Sequence, residues 1–254
     1  MNLASLLPLA LAAAEKACDE ILTVYRSGDF QAEAKGDNSP LTLADKKAHE
    51  AISHLLSPSS PFPILSEEGK NIPYADRKNW DYFWMVDPLD GTKEFLKRND
   101  EFTVNIALIH QGRPVLGVVA VPVTGDVFYG AEGHGAFVKR NGQTMPIARR
   151  PAADLKQPNL KVIASRSHLS PETEAFINTL TQPALVSAGS SLKFMLLAEG
   201  KADVYPRHAP TMEWDTAAAD AIVREAGLQV RLADGAGVLS YNKENLLNPY
   251  FLAY

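Results

Sequence analysis

Apolar positions along this chain repeat with helical spacing in two early segments and then with the alternation typical of strands. Residues 3–27 and the segment that begins near Thr42 carry the helical spacing. The β-rich runs that follow lie at residues 64–66, 82–86, 103–109, 115–121, 126–131 and 136–140. This order predicts two helices packed against a large antiparallel sheet.

The pattern changes near residue 150, after a polar stretch that contains prolines. Strands are predicted at residues 161–164, 184–187 and 202–205, and helices at residues 171–180, 191–199 and 215–225. Such alternation is typical of an α/β arrangement. We predict one compact unit or two sub-domains that share an interface, with an α+β part at residues 1–150 and an α/β part at residues 151–254.

Composition and charge exclude several functions. The chain has 254 residues, 46% of them hydrophobic and 22% charged, which are ordinary globular values. A formal net charge of −5 gives no electrostatic reason to bind nucleic acid. Cys18 is the one cysteine, so no intramolecular disulfide can form, and a reducing, cytoplasmic location is predicted. The sequence contains no cysteine–histidine cluster with zinc-ligand spacing.

The segment from Leu3 to Ala14 is strongly apolar. Its length of about a dozen residues is too short to span a bilayer, and it lacks the basic region of a secretory signal. A packed helix is the main interpretation. The alternative is weak peripheral contact with the cytoplasmic face of the inner membrane, although the polar face is not rich in Lys and Arg.

The candidate chemistry is centred on a turn that follows the apolar run at residues 82–86. Asp87 and Asp90 lie on either side of Pro88, which has a fixed φ and no N–H. Gly91 then permits a sharp reversal. Both carboxylates can therefore point into one space, and hard oxygen ligands of this kind suit Mg²⁺. The alternative is an Asx-type turn that only closes the strand.

Three further acidic residues follow or begin predicted elements. Asp45 lies in the first turn of the second helix, Glu67 follows a short apolar strand, and Asp215 begins the last predicted helix. Each also has a structural explanation: the helix dipole for Asp45, a solvated loop for Glu67 and helix capping for Asp215. Residues 189–193, Gly-Ser-Ser-Leu-Lys, open another helix and could hold a phosphate, or could contain a plain serine cap.

The order and spacing of these elements resemble the inositol monophosphatase superfamily. The motifs are Thr42-Leu43-Ala44-Asp45, Glu67-Glu68-Gly69, Asp87-Pro88-Leu89-Asp90-Gly91-Thr92 and Trp214-Asp215, and the resemblance covers nearly the whole chain. It implies a layered αβαβα sugar-phosphatase fold of α+β and α/β character. It also implies a Mg²⁺-dependent, lithium-sensitive phosphatase that acts on a small-molecule phosphate, as a monomer or a homodimer.

Two segments look like the bacterial 3′(2′),5′-bisphosphate nucleotidases within this superfamily. The turn continues Lys93-Glu94-Phe95, where inositol monophosphatases usually continue Thr-Asn-Phe, and a later segment runs from Gly189 through Tyr205-Pro206-Arg207-His208 to Asp215. This resemblance implies removal of the 3′-phosphate of adenosine 3′,5′-bisphosphate to give AMP, a step that serves sulfate assimilation.

Other activities compete with this interpretation. Inositol monophosphatase or fructose-1,6-bisphosphatase activity would use the same metal site, and a non-catalytic sensor of nucleotide or Mg²⁺ is a remote alternative. The spacing of the aspartates excludes a haloacid-dehalogenase-type phosphatase. That family places its two aspartates one residue apart, whereas two residues separate Asp87 from Asp90.

The resemblance implies a role for individual residues. One Mg²⁺ would be bound by Glu67, Asp87 and the carbonyl of Leu89. A second would be bound by Asp87, Asp90 and Asp215. The resemblance leaves open whether a third ion binds. Glu67 and Thr92 would accept protons, and Asp45 would orient Thr92. The substrate-binding set would be Glu67, Leu89, Asp90, Gly91, Thr92, Ser190, Ser191, Lys193, Arg207, His208 and Asp215.

Within that set, Lys193 and Arg207 would bind the second phosphate, and His208 would contact the leaving group. Arg166 is an alternative partner for that phosphate. Most of the metal site would come from residues 1–150, and residues 151–254 would complete the metal and substrate sites.

Overall fold

The structure is a computed structural model, and it describes residues 3–34, 40–164 and 169–254. After a single 3₁₀ turn at Leu3–Ser5, the helices are α1 (Leu7–Ser27), α2 (Leu43–Ser59), α3 (Tyr74–Arg77), α4 (Thr92–Lys97), α5 (Pro171–Asn178), α6 (Leu192–Ala198) and α7 (Glu213–Glu225). The first nine strands are β1 (Glu33–Ala34), β2 (Pro40–Leu41), β3 (Ile64–Ser66), β4 (Tyr82–Asp90), β5 (Thr103–His110), β6 (Arg113–Val121), β7 (Asp126–Ala131), β8 (Gly135–Arg140) and β9 (Gln143–Ile147). The remaining strands are β10 (Lys161–Ile163), β11 (Ala184–Val186), β12 (Tyr205–Arg207), β13 (Val230–Leu232) and β14 (Phe251–Ala253).

A seven-stranded sheet forms the centre of the molecule, with the strand order β3-β4-β5-β6-β7-β8-β9. Only β3 and β4 are parallel, and the other neighbours are antiparallel. The predicted antiparallel sheet and the mixed αβ fold class are therefore confirmed. Strand β4 continues past its predicted end at Val86, because a register shift between Asp87 and Asp90 lets pairing resume opposite Thr103.

Helices cover both faces of this sheet. Along β4, the side chains of Trp84 and Val86 belong to the apolar cluster that contains α1 and α2. The alternate side chains, Phe83 and Met85, belong to the cluster that contains α6 and α7. This alternation explains why the strand is apolar throughout, since a strand buried on both sides has no solvent face.

Helix α1 buries four of its alanines in the cluster that covers one face of the sheet, and three of its leucines are partly buried against the same cluster: Ala10, Ala13, Ala14 and Ala17, and Leu7, Leu9 and Leu11. The prediction of a packed helix for this segment is confirmed, and the peripheral membrane contact stays a prediction. Within the part of the chain that the structure describes, no helix combines the length and apolar character that crossing a bilayer would require.

Helix α7 lies directly on strand β6 at Gly117. A Cβ added to Gly117 would overlap the carbonyl oxygen of Ala218 and would lie 2.9 Å from Cβ of Ala221. A helix from the second half of the chain thus packs against the sheet of the first half. This contact fixes the position of α7 on the sheet that contains β4 and β6. The division at residue 150 stays a prediction.

The second half combines one parallel and one antiparallel sheet. Strands β10 and β11 are parallel, as the alternation predicts. Strands β12, β14 and β13 form an antiparallel sheet in that order. The predicted strand at residues 202–205 is wrong in its bounds, because β12 begins at Tyr205. Strands β13 and β14 were not predicted.

Candidate active site

The turn after the apolar part of β4 carries the first two carboxylates. Asp87 is only 2% exposed, and its Oδ1 accepts a hydrogen bond of 3.0 Å from the N–H of Leu89. Pro88 has no N–H to donate, so it fits the register shift where the β4–β5 ladder is interrupted. The bulge therefore turns both Asp87 and Asp90 toward the same end of the sheet.

Glu67 and Asp215 join Asp87 from two other elements. Ligand oxygens of these three residues all lie within 4.8 Å of one another. Glu67 directly follows β3, and its N–H donates to the carbonyl of Val86 on the parallel neighbour β4 at 3.1 Å. Asp215 comes from the first turn of α7, which the contact at Gly117 holds against the sheet.

Burial and mutual repulsion make this cluster unfavourable without a cation. Burial raises the pKa of Asp87 well above its ordinary value, and the charges of Glu67, Asp90 and Asp215 raise it further. Burial and the charge of Asp90 likewise raise the pKa of Asp215. A divalent cation would remove the repulsion, and an all-oxygen donor set of carboxylates suits Mg²⁺. The residues present therefore fit the predicted metal.

The stability of the metal-free protein should depend on pH and Mg²⁺ together. A carboxyl whose pKa is raised by folding destabilises the folded state when ionised, so stability rises as pH falls from the raised pKa toward the ordinary Asp value. Mg²⁺ replaces the missing positive charge. We expect Mg²⁺ to raise Tm more at about pH 8 than at about pH 5.5.

This expectation is measured by thermal unfolding of the metal-free protein with MgCl₂, and with NaCl at matched ionic strength as the control. Equal Mg²⁺-induced shifts at the two pH values would contradict it.

The carboxylate of Asp45 contacts both the start of α2 and the side chain of Thr92. Its Oδ2 accepts hydrogen bonds from the N–H of Thr42 at 2.7 Å and from the Thr42 hydroxyl, and these bonds cap α2. Its Oδ1 accepts a 3.2 Å hydrogen bond from the hydroxyl of Thr92. One carboxylate thus fixes a helix end and holds the Thr92 side chain beside the Asp90 turn.

Asp215 is not the first residue of its helix. Helix α7 begins at Glu213, earlier than predicted, and Oδ2 of Asp215 accepts a 2.9 Å hydrogen bond from the N–H of Met212. Asp215 therefore does cap the helix, as its third residue, by accepting from the backbone N–H of the residue that precedes the helix. The same carboxylate also belongs to the acidic cluster.

A large cavity lies beside this cluster and has a volume of about 690 Å³. Predicted site residues in its wall are Asp90, Gly91, Ser190, Lys193, Arg207 and Asp215. The Arg207 guanidinium donates to the carbonyls of Ala209 and Pro210 at 3.1 and 2.8 Å, which orients it. Carboxylates and both of the predicted cationic side chains, Lys193 and Arg207, therefore share one cavity.

His208 lies outside the wall of this cavity. It lines a smaller cavity of about 50 Å³, and its Nδ1 lies 3.3 Å from the hydroxyl of Thr173. Burial lowers the pKa of His208, which favours the neutral ring. The predicted contact with the leaving group stays a prediction. Arg166, the alternative cation, lies outside the described residues.

Sequence reasoning missed several residues of the site. Lys97, Glu101 and Tyr205 line the large cavity, and Thr103 and Asn105 on β5 contact residues of its wall. A signal existed for Asn105, which is a polar side chain inside an otherwise apolar strand that the structure buries to 1% exposure. Nothing in the pattern shows which element it faces.

A model of the inositol monophosphatase family matches residues 2–250 of the chain. The chain belongs to the inositol monophosphatase family. It is therefore a phosphatase, and Mg²⁺ dependence is general in this family. The acidic cluster and the cavity are the candidate site for such a reaction.

Relatives within the inositol monophosphatase family are similar over almost their whole length. The 3′(2′),5′-bisphosphate nucleotidase CysQ of Salmonella typhimurium is 46% identical over 240 residues, which cover 94% of this chain and 95% of that protein. The crystal structure of CysQ from Bacteroides thetaiotaomicron superposes with a TM-score of 0.86 at 48% identity, covering 98% of this chain and 96% of that one. An inositol monophosphatase from Anabaena has a TM-score of 0.76 at 25% identity, covering 100% and 91% of the respective chains.

Proposed function

We propose that this protein is a Mg²⁺-dependent 3′(2′),5′-bisphosphate nucleotidase that hydrolyses the 3′-phosphate of adenosine 3′,5′-bisphosphate to give AMP. The observation that carries the proposal is a single cavity that combines the carboxylates of Asp90 and Asp215 with the cations Lys193 and Arg207. A substrate with two phosphates needs both features, and the similarity to CysQ proteins points the same way.

Glu67, Asp87, Asp90, Asp215 and the carbonyl of Leu89 would hold the Mg²⁺ ions, two or three in number. Bound Mg²⁺ supplies charge that stabilises the attacking and leaving oxygens of a phosphoryl transfer and makes water more acidic. Glu67 and Thr92 would accept protons from the attacking water. The hydrogen bond to Asp45 would orient the Thr92 hydroxyl for this role.

The scissile phosphate would lie at the Asp90 turn, next to the backbone of Gly91 and Thr92. Lys193 would bind the second phosphate. Its Nζ donates a long hydrogen bond of 3.4 Å to the carbonyl of Ser190, and the side chain lines the same cavity as Asp90. Arg207 would bind the same phosphate, because the forked N–H donors of a guanidinium match the oxygens of a phosphate. Ser190 and Ser191 would assist, and His208 would contact the leaving group.

The test is phosphate release from three substrates in parallel, with Mg²⁺ and with or without Li⁺. The substrates are adenosine 3′,5′-bisphosphate, inositol 1-phosphate and fructose 1,6-bisphosphate. We expect strong preference for the nucleotide and inhibition by Li⁺. Preference for either sugar phosphate would keep the metal site and overturn the substrate. Absence of release from all three would overturn the proposal.

The variant Lys193→Ala should show whether Lys193 binds the second phosphate of the substrate. We expect kcat/KM for the bisphosphate to fall about 10- to 100-fold, because one charge-assisted contact is worth about 1.5–3 kcal/mol. Turnover of a nucleoside 3′-monophosphate should fall much less. Steady-state kinetics on both substrates measure the difference.

Lys201→Ala is the matched control, since Lys201 is exposed and pairs with Glu199 outside the cavity wall. Equal losses on the bisphosphate and the monophosphate in Lys193→Ala would mean that Lys193 supports the fold of the site and does not bind the second phosphate.

We further propose a cytoplasmic location, supported by the single cysteine, Cys18. Monomer and homodimer both fit a small-molecule phosphatase of this size, and peripheral membrane contact through the N-terminal leucines stays a minor part of the proposal. Fractionation and light scattering of the full chain test these points.

A further inference from the structure

The carboxylate of Asp90 is held from one side by a network of polar side chains. Oδ2 of Asp90 accepts hydrogen bonds from the hydroxyls of Ser190 and Ser191 at 2.6 and 2.9 Å, and a longer one of 3.4 Å from Nδ2 of Asn105. Within the part of the chain that the structure describes, no donor reaches Oδ1. The network therefore leaves one oxygen of Asp90 for a cation.

Two residues of strand β5 contact the two serines. Asn105 donates a 2.9 Å hydrogen bond to the hydroxyl of Ser191. The Thr103 hydroxyl lies 2.6 Å from that of Ser190 and 3.2 Å from Oδ1 of Asn105. Because Ser190 donates its own hydrogen to Asp90, the single hydrogen of the Thr103 hydroxyl is the one that joins Thr103 to Ser190. Thr103 is fully buried and Asn105 is 1% exposed, so neither can reach a substrate in the cavity.

The backbone around Ser190 shows that this arrangement is enforced. Ser190 has a φ of +48°, in the left-handed region that non-glycine residues rarely adopt. The preceding Gly189 lies so close to Glu101 that a Cβ there would be 2.8 Å from the carbonyl oxygen of Glu101. The loop before α6 is thus packed tightly onto the segment before β5, with the serine hydroxyls turned inward toward Asp90.

The network also joins two of the predicted metal ligands. The hydroxyl of Ser191 lies 2.9 Å from Oδ2 of Asp90 and 2.9 Å from the carbonyl oxygen of Asp215. Because Asn105 donates to that hydroxyl, its single hydrogen is free to go to one of these two acceptors. The buried amide of Asn105 therefore keeps the Ser191 hydrogen available for the acceptors on the turn of β4 and the first turn of α7.

We propose that Thr103 and Asn105 are positioning residues that act through Ser190 and Ser191 to fix Asp90 for Mg²⁺ binding. The two serines would then act mainly on Asp90, and less as direct contacts of the substrate. The proposal rests on the proposed function only in that Asp90 is a Mg²⁺ ligand; it does not depend on which phosphate ester is hydrolysed.

The test measures Mg²⁺ affinity without substrate, by isothermal titration calorimetry of the full-length, metal-stripped protein. Thr103→Val keeps the side-chain shape and removes the hydroxyl, and Asn105→Leu keeps a similar volume and removes the amide. Each should weaken Mg²⁺ binding by about 10- to 100-fold, the usual effect of losing a partner that orients a metal ligand. Thr103→Ser keeps the hydroxyl and should bind Mg²⁺ within about two-fold of the unmodified protein.

Ser60→Ala is the control for loss of a buried hydroxyl elsewhere. The Ser60 hydroxyl accepts a 2.9 Å hydrogen bond from the indole of Trp84, outside the acidic cluster. Its Mg²⁺ affinity should be unchanged. A second readout is kinetic: at saturating Mg²⁺, the KM for the phosphate substrate should stay within about two-fold in Thr103→Val, since the residue acts on the metal ligand.

Unchanged Mg²⁺ affinity in both Thr103→Val and Asn105→Leu would overturn the proposal. An equal loss in Ser60→Ala would overturn it as well, because any lost hydroxyl would then suffice. An unmodified protein that binds Mg²⁺ but prefers a sugar phosphate would contradict the proposed substrate, while leaving the positioning role to be judged by these variants.

Discussion

Asp90→Asn should reduce kcat by about 100- to 1,000-fold, the loss expected when one preorganised charge is removed from a reacting site. The substitution removes the negative charge of Asp90 and keeps its shape. The amide oxygen of asparagine can still accept the hydrogen bonds of Ser190 and Ser191. The loss should therefore come from weaker Mg²⁺ binding and not from a rearranged turn.

The same variant should fold at least as well as the unmodified protein when metal is absent. The charge of Asp90 raises the pKa of Asp87 and Asp215, so it destabilises the folded, metal-free state. Thermal unfolding should give an equal or higher Tm without metal, and a smaller increase on addition of Mg²⁺. Lower turnover with intact metal-free stability separates a metal ligand from a structural residue.

Asp76→Asn is the matched control for Asp90→Asn. Asp76 is exposed in the first turn of α3 and lies outside the acidic cluster. Its substitution should leave kcat and the effect of Mg²⁺ unchanged. Near-normal turnover of Asp90→Asn would show that the assignment of Asp90 to the metal site is wrong.

Gly117→Ala should destabilise the protein by about 3 kcal/mol or more, because the added methyl group overpacks a rigid contact. The atom that it would meet is the backbone carbonyl oxygen of Ala218, which can move only if α7 moves. Asp215 lies one turn earlier on the same helix. Displacement of α7 should therefore also weaken Mg²⁺ binding, although Gly117 lies outside the cavity wall.

Denaturant unfolding followed by circular dichroism measures the loss of stability, and calorimetry measures the Mg²⁺ affinity. Gly237→Ala is the control, since no heavy atom outside its chain neighbours lies within 4 Å of a Cβ at Gly237. Its stability should change by less than about 0.5 kcal/mol. If Gly117→Ala were as stable as this control, α7 would not be fixed by its contact with β6.

The local parts of the site were predictable from the sequence because neighbours along the chain determine them. The turn at Asp87 follows from an apolar strand, a proline without N–H and a glycine. For Asp45 the sequence predicted an interaction with the helix dipole, and the structure shows that the residue also caps α2 through Thr42. The structural and the functional explanation of Asp45 are compatible, because one carboxylate has two oxygens and Asp45 uses both.

The long strands and helices were predictable for a similar reason. Strands such as β5 and β6 have enough residues for their apolar pattern to be visible, and both were predicted close to their observed bounds. Strands β13 and β14 are three residues long, and their pairing joins segments that are distant in sequence. Short strands of this kind are stabilised by tertiary contacts, which a local pattern does not contain.

The sequence by itself determined the family and the main sheet, and it predicted the acidic residues of the site, because these depend on local spacing and on motifs. Only the tertiary structure decided that His208 lies outside the large cavity and that Asn105 faces Asp90 through Ser191. The physical reason is that hydrogen bonds between side chains on different elements depend on how helices and sheets pack. At this site, that packing depends on the contact between Gly117 and α7.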